Sequence, residues 1–295
     1  MSSKPIITRE VAALPGRSDD AHKGDVGRIT MVGGCCGRVT MVGAPALAAN
    51  AALRSGAGLV QLLVPDAIRT SVLVITPCAT ARALPASAEE ILAAAAEFGA
   101  DVLAIGPGLG DSLDGATVAA LLTDFSGPVI VDADGLNLLA ATPDVHASLP
   151  HRVVLTPHTG EAERLLRARN IDLTVTGTAA SRKAAACALA DAYGCCVVLK
   201  GRATIVTNGD RIFTNETGNS GMATAGMGDV LTGVIAALMG QHVEPFEAAI
   251  LGVFLHGLAG DYAAEELGRW SVTATDVLDY LPEAFGEHEI VHAES

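Results

Sequence analysis

Short apolar runs alternate along the chain with longer segments that are rich in alanine, leucine and glutamate. Six of these runs are almost continuously apolar: RITMVG (28–33), LVQLLV (59–64), DVLAI (101–105), PVIVD (128–132), RVVLT (152–156) and CVVLK (196–200). Strands that are buried on both faces of a parallel sheet show this pattern. The runs therefore predict six strands of one central sheet.

The segments between these runs have helical character. Three of them are rich in helix-forming residues and end at glycine, which favours helix termination: APALAANAALRSG (44–56), AEEILAAAAEFG (88–99) and AASRKAAACALADAYG (179–194). Strands that alternate with helices indicate right-handed crossovers in an open sheet. We therefore predict an α/β fold in which a mostly parallel central sheet carries helices on both faces.

The chain after residue 200 departs from this alternation. ATIVTNGDRIFTN (203–215) contains two short apolar runs around Asn208-Gly209, a pair of residues typical of a tight turn between antiparallel strands. This segment therefore predicts a β-hairpin. From Ala225 onward, the chain is predicted to be mainly helical.

The domain organisation follows from the length and from the absence of linkers. With 295 residues, the chain is long enough for one large domain that buries about 75% of its unfolded surface. No proline- or serine-rich linker and no block of like charges divides it. We predict a single domain over residues 21–283, with an N-terminal extension (1–20) and a C-terminal tail (284–295). The sequence leaves open whether these two ends are ordered.

Composition and charge limit the classes of partner. Only 3% of the residues are aromatic, so few side chains are available to stack on nucleic-acid bases. The net charge of −14 argues against nucleic acid or an anionic membrane surface, although local backbone dipoles still permit a small anionic ligand. There is no apolar signal core at the N-terminus, and no stretch reaches the ~18 apolar residues that a membrane span needs. These features predict a soluble, cytoplasmic protein.

The six cysteines give no sign of a metal site. None has C-x-x-C spacing, and no His/Cys cluster resembles a zinc site. Adjacent cysteines rarely form a structural bridge, so we expect reduced and partly buried thiols. The cysteines are Cys35, Cys36, Cys78, Cys187, Cys195 and Cys196.

Four polar or glycine-rich loops follow four of the predicted strands. They are GPGLG (106–110), DADGLN (132–137), TPHTGE (156–161) and KGRAT (200–204). In open α/β sheets, ligands bind beyond the carboxyl ends of the strands. One such loop would be an ordinary turn, but four of them predict a ligand site at this edge of the sheet.

The segment GMATAGMGDVLTG (221–233) carries the candidate chemistry. Gly226 and Gly228 allow the backbone to approach a ligand, and the helix that follows adds roughly half a positive charge at its N-terminus. This combination favours binding of a phosphate. Asp229 could then take the proton of a hydroxyl that attacks the phosphorus. The alternative is that Asp229 only stabilises the helix dipole, by about 0.3–1 kcal/mol.

Together with HKGDVGR (22–28), these motifs resemble those of the ADP/ATP-dependent NAD(P)H-hydrate dehydratases, a branch of the ribokinase-like superfamily. The resemblance runs from about residue 20 to about residue 280, in the family's motif order. GxGD alone marks only the superfamily, whereas the full set of motifs is specific to the branch. The resemblance implies a single-domain ribokinase-like fold.

The resemblance also implies a reaction. Members of this family dehydrate the S epimer of hydrated NADH or NADPH, in which the nicotinamide ring has added water. They phosphorylate the ring hydroxyl with ADP or ATP, and loss of phosphate regenerates the reduced cofactor together with AMP or ADP. The expected activity is therefore that of a hydro-lyase, with ADP or ATP as co-substrate and Mg²⁺ as cofactor.

Particular residues take on roles through the resemblance, with Asp229 as the catalytic base. The residues that match nucleotide-binding positions are Lys200, Gly201, Arg202, Ala203, Thr204, Gly226 and Gly228. Those that match positions contacting the hydrated dinucleotide, beside Asp229, are Ala44, Gly110 and His158. Glu161 matches an acid that organises Mg²⁺ through water.

Several of these residues have an equally simple structural explanation. His158 could cap a loop, and Lys200 could be a solvated charge at a strand end. Glu161 lies in a first helical turn, where an acid is favoured in any case, and Ala44 could serve packing alone. Two further acids, Asp132 and Asp134, could assist a metal or hold their loop through hydrogen bonds. The sequence does not decide between these roles.

The chain departs from the family pattern at two positions. Ala225 stands where the family usually has another glycine, so the phosphate loop is expected to be slightly stiffer. Thr159 stands where a proline commonly follows the histidine, which weakens the argument for the pose of His158. Neither change removes a catalytic group.

The resemblance suggests partners as well. An NAD(P)H-hydrate epimerase is expected as a separate protein, because only about twenty residues precede the match. We also expect a homo-oligomer, with a tetramer as the family's form. The sequence does not show whether ADP or ATP, or hydrated NADH or NADPH, is preferred.

Other functions remain as alternatives. A vitamin or sugar kinase of the same superfamily would share Asp229 and the phosphate loop, and would stop at the phosphorylated product. An adenine-nucleotide sensor would not need Asp229. An NAD-dependent dehydrogenase is disfavoured, because GPGLGD lacks the G-x-G-x-x-G spacing.

Overall fold

A computed structural model describes residues 5–142 and 149–293, and the following statements concern these residues. The strands are β1 (Ile6–Ile7), β2 (Arg28–Val32), β3 (Cys35–Cys36), β4 (Thr40–Met41), β5 (Leu59–Val64), β6 (Thr80–Ala83), β7 (Val102–Ile105), β8 (Val129–Val131), β9 (Val153–Leu155), β10 (Cys196–Leu199), β11 (Ile205–Thr207) and β12 (Arg211–Thr214). The helices are α1 (Gly43–Arg54), α2 (Arg69–Ile75), α3 (Ala88–Phe98), α4 (Gly115–Asp124), α5 (Ala133–Ala140), α6 (Thr159–Ala168), α7 (Ala179–Tyr193), α8 (Met227–Gly240), α9 (Pro245–Leu267) and α10 (Ala274–Ala293).

Ten of the strands form one sheet in the order β1-β12-β11-β10-β9-β8-β7-β2-β5-β6. The seven strands from β10 to β6 in this order pair in parallel, and β11 and β12 add an antiparallel hairpin. All six predicted strands are confirmed to within one residue at either end, and so is the hairpin around Asn208-Gly209. The predicted mostly parallel sheet is therefore confirmed.

The hydrophobic core has two layers, one on each face of the sheet. One layer is formed with α1, α8, α9 and α10, and the other with α3 to α7. Successive residues of a strand point to opposite layers: in β7, Val102 and Ala104 belong to the first, and Leu103 and Ile105 to the second. The strands read as continuously apolar because both faces are buried.

The three predicted helices correspond to α1, α3 and α7, and the segment after Ala225 forms α8, α9 and α10 as predicted. Several elements were not predicted, namely the edge strands β1 and β6, the small hairpin β3–β4, and the helices α2, α4 and α5. The four strands among them are only two to four residues long, and β6 (TARA) contains no apolar run.

The two chain ends contact each other as far as the structure describes them. α10 continues beyond residue 283 to Ala293, and within this part Ala284 is fully buried. His288 Nε2 lies 2.8 Å from the carbonyl oxygen of Ala12. The described parts of the predicted extension and tail, residues 5–20 and 284–293, thus meet on one side of the fold. The domain boundaries themselves stay a prediction.

Two further predictions concern thiols and membrane spans. All six cysteines are free; Cys35, Cys195 and Cys196 are buried, and Cys36 and Cys78 are exposed. Burial raises the pKa of Cys195 and Cys196, which keeps these thiols protonated.

None of the helices within the described residues is both long enough and apolar enough to cross a membrane.

Candidate functional site

Four loops meet at the carboxyl edge of the sheet. The strands that precede them, β7, β8, β9 and β10, are consecutive parallel neighbours, so their loops emerge side by side. Backbone hydrogen bonds join each loop to the strand or loop beside it: Asp132 N donates to Ile105 O at 3.0 Å, and Lys200 N donates to Pro157 O at 2.8 Å. We call this edge the rim.

The N-terminus of α8 lies at the rim. Gly226 is the N-cap residue of α8 and has φ +92°, a conformation that favours glycine. No side chain caps this helix, so the amides of its first turn are available to an anion. A methyl group on Gly226 would lie 2.8 Å from both Ala274 Cβ and Leu47 Cδ1. We call residues 223–228 the anion loop. The chain enters α8 through Gly226, a position where only glycine fits.

A buried ion pair lies directly beneath this helix end. Lys200 Nζ contacts Asp132 Oδ1, and their side chains are only 17% and 2% exposed. The other carboxylate oxygen of Asp132 accepts a hydrogen bond of 2.9 Å from Thr232 Oγ1 on α8. A methyl group on Gly228 would lie 3.1 Å from Lys200 Nζ. The absence of a side chain at Gly228 therefore lets the first turn of α8 rest on the ion pair.

Asp229 follows in the same helical turn and is partly buried. Burial and the nearby charge of Asp132 together raise the pKa of its carboxyl to about 7, against the opposing effect of Lys200. A carboxyl group with a pKa near the working pH is well matched to proton transfer. Asp229, in the first turn of α8 and directly after the anion loop, is therefore a chemically suitable base.

Glu161 is a second acid beside the ion pair. Its side chain is 5% exposed, and Oε2 lies 3.9 Å from Lys200 Nζ. Burial raises the pKa of Glu161, and the value stays at about 7 even though the charge of Lys200 acts in the opposite direction. For Asp132, burial alone would raise the pKa, but the charge of Lys200 and the hydrogen bonds from Lys200, Thr156 and Thr232 together lower it. The site thus combines one ionised pair with two carboxyl groups that change charge near neutral pH.

His158 is the N-cap residue of α6. Its Nδ1 accepts hydrogen bonds from Gly160 N at 3.0 Å and Glu161 N at 3.4 Å, and Glu161 Oε2 accepts one from His158 N at 2.7 Å. This reciprocal arrangement is a capping box. Thr159 is the first residue of α6, a position that also suits proline. The departure from the family pattern at this residue therefore leaves the start of the helix and its capping box in place. The capping role is observed, and contact of His158 with a dinucleotide stays a prediction.

Ala44 lies beside the GPGLG loop, which contains Gly110. Ala44 is in the first turn of α1, where a methyl group on Gly108 would lie 3.0 Å from Ala44 Cβ. Gly110 N donates a hydrogen bond of 2.8 Å to Asp134 Oδ2. Asp134 therefore holds the GPGLG loop, which is one of the two roles that the sequence left open. The contact of Ala44 and Gly110 with a ligand is untested.

The KGRAT segment forms a tight turn with an exposed backbone. Gly201 and Ala203 have φ angles of +133° and +54°, and Thr204 Oγ1 donates to Gly201 O at 2.9 Å. Only Lys200 of this segment turns inward to the ion pair, whereas residues 201–203 are exposed. The backbone of residues 201–203 is therefore exposed next to Lys200. Binding of a nucleotide by Lys200, Gly201, Arg202, Ala203 and Thr204 stays a prediction.

Two residues that support this site were not predicted. Arg182 on α7 donates through Nη2 to the carbonyl oxygens of Leu199 and Lys200, at 3.3 and 3.2 Å, and so fixes the end of β10. Thr232 hydrogen bonds to Asp132 from α8. Its spacing of three residues from Asp229 places both on one helix face, a signal that the sequence does contain. Arg182 has no comparable signal.

The donor set fits a divalent cation only in part. Among the residues that the structure describes, no group of three or more histidine, cysteine or acidic side chains could hold a metal ion. Mg²⁺, however, is often bound by one or two carboxylates, with water and substrate phosphates as the other ligands. Asp132 and Glu161 both face Lys200 and could supply those carboxylates.

Comparison with known proteins gives a consistent family. A model of the family described as NAD(P)H-hydrate dehydratase matches residues 32–283. A bifunctional NAD(P)H-hydrate repair enzyme of Moorella thermoacetica is 43% identical over 282 residues, which are 91% of this chain and 51% of that protein. The ADP-dependent (S)-NAD(P)H-hydrate dehydratase of Neisseria meningitidis is 39% identical over 257 residues, 85% of this chain and 82% of that protein. The chain spans about half the length of the bifunctional relatives.

Solved structures show the same fold. The ADP/ATP-dependent NAD(P)H-hydrate dehydratase of Bacillus subtilis, co-crystallised with ATP/Mg²⁺, superposes with a TM-score of 0.78 at 28% identity, over 94% of this chain and 95% of that one. A ribokinase-like superfamily protein of Enterococcus faecalis superposes with a TM-score of 0.77 at 28% identity, over 94% of this chain and 92% of that one. The fold of this chain is therefore the ribokinase-like fold.

Proposed function

Because the chain belongs to the NAD(P)H-hydrate dehydratase family, we propose that it dehydrates the S epimer of hydrated NADH or NADPH. The reaction uses ADP or ATP and yields AMP or ADP, phosphate and the reduced cofactor. The observation that carries this proposal is the position of Asp229: its carboxyl, with a pKa of about 7, lies in the uncapped first turn of α8 above the Lys200–Asp132 pair.

The first chemical step is transfer of a phosphoryl group to the ring hydroxyl. Asp229 takes the hydroxyl proton while the oxygen forms a bond to the terminal phosphorus, and the remaining nucleotide leaves with the electron pair of the broken P–O bond. The amides of Gly228 and its neighbours stabilise charge on the transferring group. Lys200, held by Asp132, adds a fixed positive charge next to this position.

The second step is loss of phosphate. The C–O bond breaks with both electrons on the phosphate, the lone pair of the ring nitrogen forms a C=N bond, and loss of a proton from the neighbouring carbon restores the reduced ring. Hydroxide is a poor leaving group and phosphate a good one, which explains why a nucleotide is consumed. The residues of the rim orient the ring during this step.

We place the two ligands on opposite sides of Asp229. The nucleotide lies along Lys200–Thr204 with its phosphates at Gly226 and Gly228, and the hydrated ring lies toward Ala44, Gly110 and His158. The close approach of α8 to Lys200 and of the GPGLG loop to Ala44 supports this division.

Mg²⁺ is proposed as the cofactor, with Glu161 as a ligand through water and Asp132 beside it. When bound there, Mg²⁺ would lower the negative charge of the nucleotide phosphates during the transfer. The Bacillus subtilis relative, which was co-crystallised with ATP/Mg²⁺, supports this assignment.

We further propose an NAD(P)H-hydrate epimerase as functional partner, since several relatives are described as bifunctional repair enzymes. An epimerase would convert the other epimer into the one used here. A homo-oligomer, a cytoplasmic location and a catalytic unit over residues 21–283 stay predictions.

A kinase for a vitamin or sugar is the alternative on this fold, and a substrate panel separates the two. With ADP or ATP and Mg²⁺ held constant, we expect hydrated NADH and NADPH to give reduced nicotinamide absorbance and inorganic phosphate. Pyridoxal, hydroxymethylpyrimidine, hydroxyethylthiazole and ribose should react poorly, because selection of such a small alcohol needs a closed site that excludes water, whereas a dinucleotide needs a broad one. Fast phosphorylation of one of these alcohols, without recovery of reduced cofactor from the hydrates, would favour the kinase.

A further inference from the structure

Among the contacts between α9 and the segment that leads into the anion loop is a pair of side chains that bind each other, Asn219 and Asp261. Asp261 Oδ2 accepts a hydrogen bond of 2.7 Å from Gly218 N. Asn219 Nδ2 donates to Asp261 Oδ1 at 2.9 Å and to Gly260 O at 2.8 Å. Each of the two side chains thus binds the other and a backbone group of the opposite element.

The backbone of α9 comes unusually close to the same segment. Thr217 Oγ1 donates to Phe254 O at 2.8 Å, and a methyl group on Gly257 would lie 2.2 Å from that hydroxyl oxygen. A methyl group on Gly260 would lie 2.3 Å from Met222 Sδ. Residues 217–222 therefore lie directly on the helix, at positions where α9 has no side chains.

The first half of the anion loop, residues 223–225, is thereby held on both sides. At one end, Met222 packs on α9, and at the other, Gly226 packs against Ala274 and Leu47. Between these points only residues 223–225 are exposed. The path of this short bridge, and hence the direction of its amides, depends on where residues 217–222 are held.

We propose that Asn219 and Asp261 are positioning residues that hold the anion loop in the conformation that receives the phosphates of an adenine nucleotide. This inference rests on the nucleotide use proposed above. Neither residue touches the reacting atoms. Without their contact, the loop populates other conformations, and the apparent affinity for the nucleotide falls with the fraction that remains competent.

The substitution Asp261→Asn tests the pair with the smallest change in shape. The new amide can still accept from Gly218 N, but its NH₂ group then faces the NH₂ group of Asn219. Asn219 cannot turn its amide around without losing two bonds, one from Gly221 N at 2.8 Å and one to Gly260 O. We expect the dissociation constant for ADP with Mg²⁺, measured by calorimetry, to rise about tenfold to a hundredfold.

Two further variants separate positioning from general damage. Glu265→Gln removes the same charge from an exposed position one turn further along α9 and should bind ADP like the wild type. The exchange Asn219→Asp with Asp261→Asn reverses donor and acceptor within the pair and should recover part of the lost affinity. In turnover, the KM for ADP should rise while the KM for the hydrate stays unchanged.

The outcomes distinguish this inference from the proposed function. Binding of ADP is measured without any hydrate, so a wild-type protein that binds ADP but leaves the hydrates unchanged would contradict only the proposed function. Wild-type affinity in Asp261→Asn would overturn the inference, and so would equal losses in Glu265→Gln. Failure of the wild type to bind ADP would overturn both.

Discussion

Replacement of Asp229 with asparagine is expected to lower turnover of hydrated NADH by about a hundredfold to ten-thousandfold, the usual contribution of a positioned base. The amide keeps the shape of the carboxyl group but cannot accept the hydroxyl proton. The backbone amides of the anion loop and Lys200 are unchanged, so binding of ADP should be largely retained. The measurement is the rate at which reduced nicotinamide absorbance returns at saturating ADP and Mg²⁺.

The pH dependence of the reaction provides a second test of the same residue. The pKa of Asp229 is raised to about 7, and only the deprotonated carboxylate can act as a base. For the free enzyme, kcat/KM should therefore rise as the pH increases through about 7 and then level off. The residual activity of Asp229→Asn should rise less steeply over this range, because only Glu161, whose pKa is also raised to about 7, still changes charge there.

A matched control is available on another helix. Glu89 is an exposed acid in the first turn of α3, so Glu89→Gln also removes a carboxylate from the start of a helix. This variant should keep wild-type turnover. If Asp229→Asn also turned over hydrates at the wild-type rate, Asp229 would serve only the helix dipole and the proposed mechanism would be wrong.

Removal of divalent cations should abolish activity, which is the second large effect that we expect. The phosphates of ADP need a cation that bridges them and neutralises the charge developed during transfer. Asp132 and Glu161 already share Lys200, so one ammonium group cannot also replace the cation at the phosphates. Excess chelator should stop the return of reduced cofactor, and added Mg²⁺ should restore it.

The fold should not depend on the cation. No group of three or more potential metal-ligating side chains occurs among residues 5–142 and 149–293, so chelation should leave the thermal midpoint of unfolding unchanged. Loss of activity together with unfolding would instead indicate a structural metal. Undiminished activity in excess chelator would contradict the cofactor assignment.

Much of the fold was predictable because burial on both faces leaves a simple pattern. RVVLT and CVVLK, for example, are apolar throughout because successive side chains of β9 and β10 enter the two opposite core layers. The position of the site followed from the same pattern, because loops after parallel strands meet at one edge. Gly226 does adopt the left-handed conformation that favours glycine, and binding of an anion at this turn stays a prediction.

The connections within the site were not predictable, because they join residues that are distant in sequence. Lys200 and Asp132 are 68 residues apart, and Thr232 lies 100 residues beyond Asp132. Asn219 and Asp261, 42 residues apart, likewise meet only because α9 packs against the segment before α8. The spacing of apolar residues along the chain carries no information about such pairs. The capping role of His158 was foreseen as an alternative, because it depends only on the next three residues.

The fate of the ring oxygen tests the central claim most directly. Hydrated NADH whose ring hydroxyl carries heavy oxygen would be converted with ADP and Mg²⁺, and the released phosphate would be analysed by mass spectrometry. If the hydroxyl is phosphorylated and then leaves as phosphate, each phosphate formed during dehydration carries one heavy oxygen. Unlabelled phosphate, with the heavy oxygen released as water, would show that nucleotide cleavage and dehydration are separate events and would contradict the mechanism.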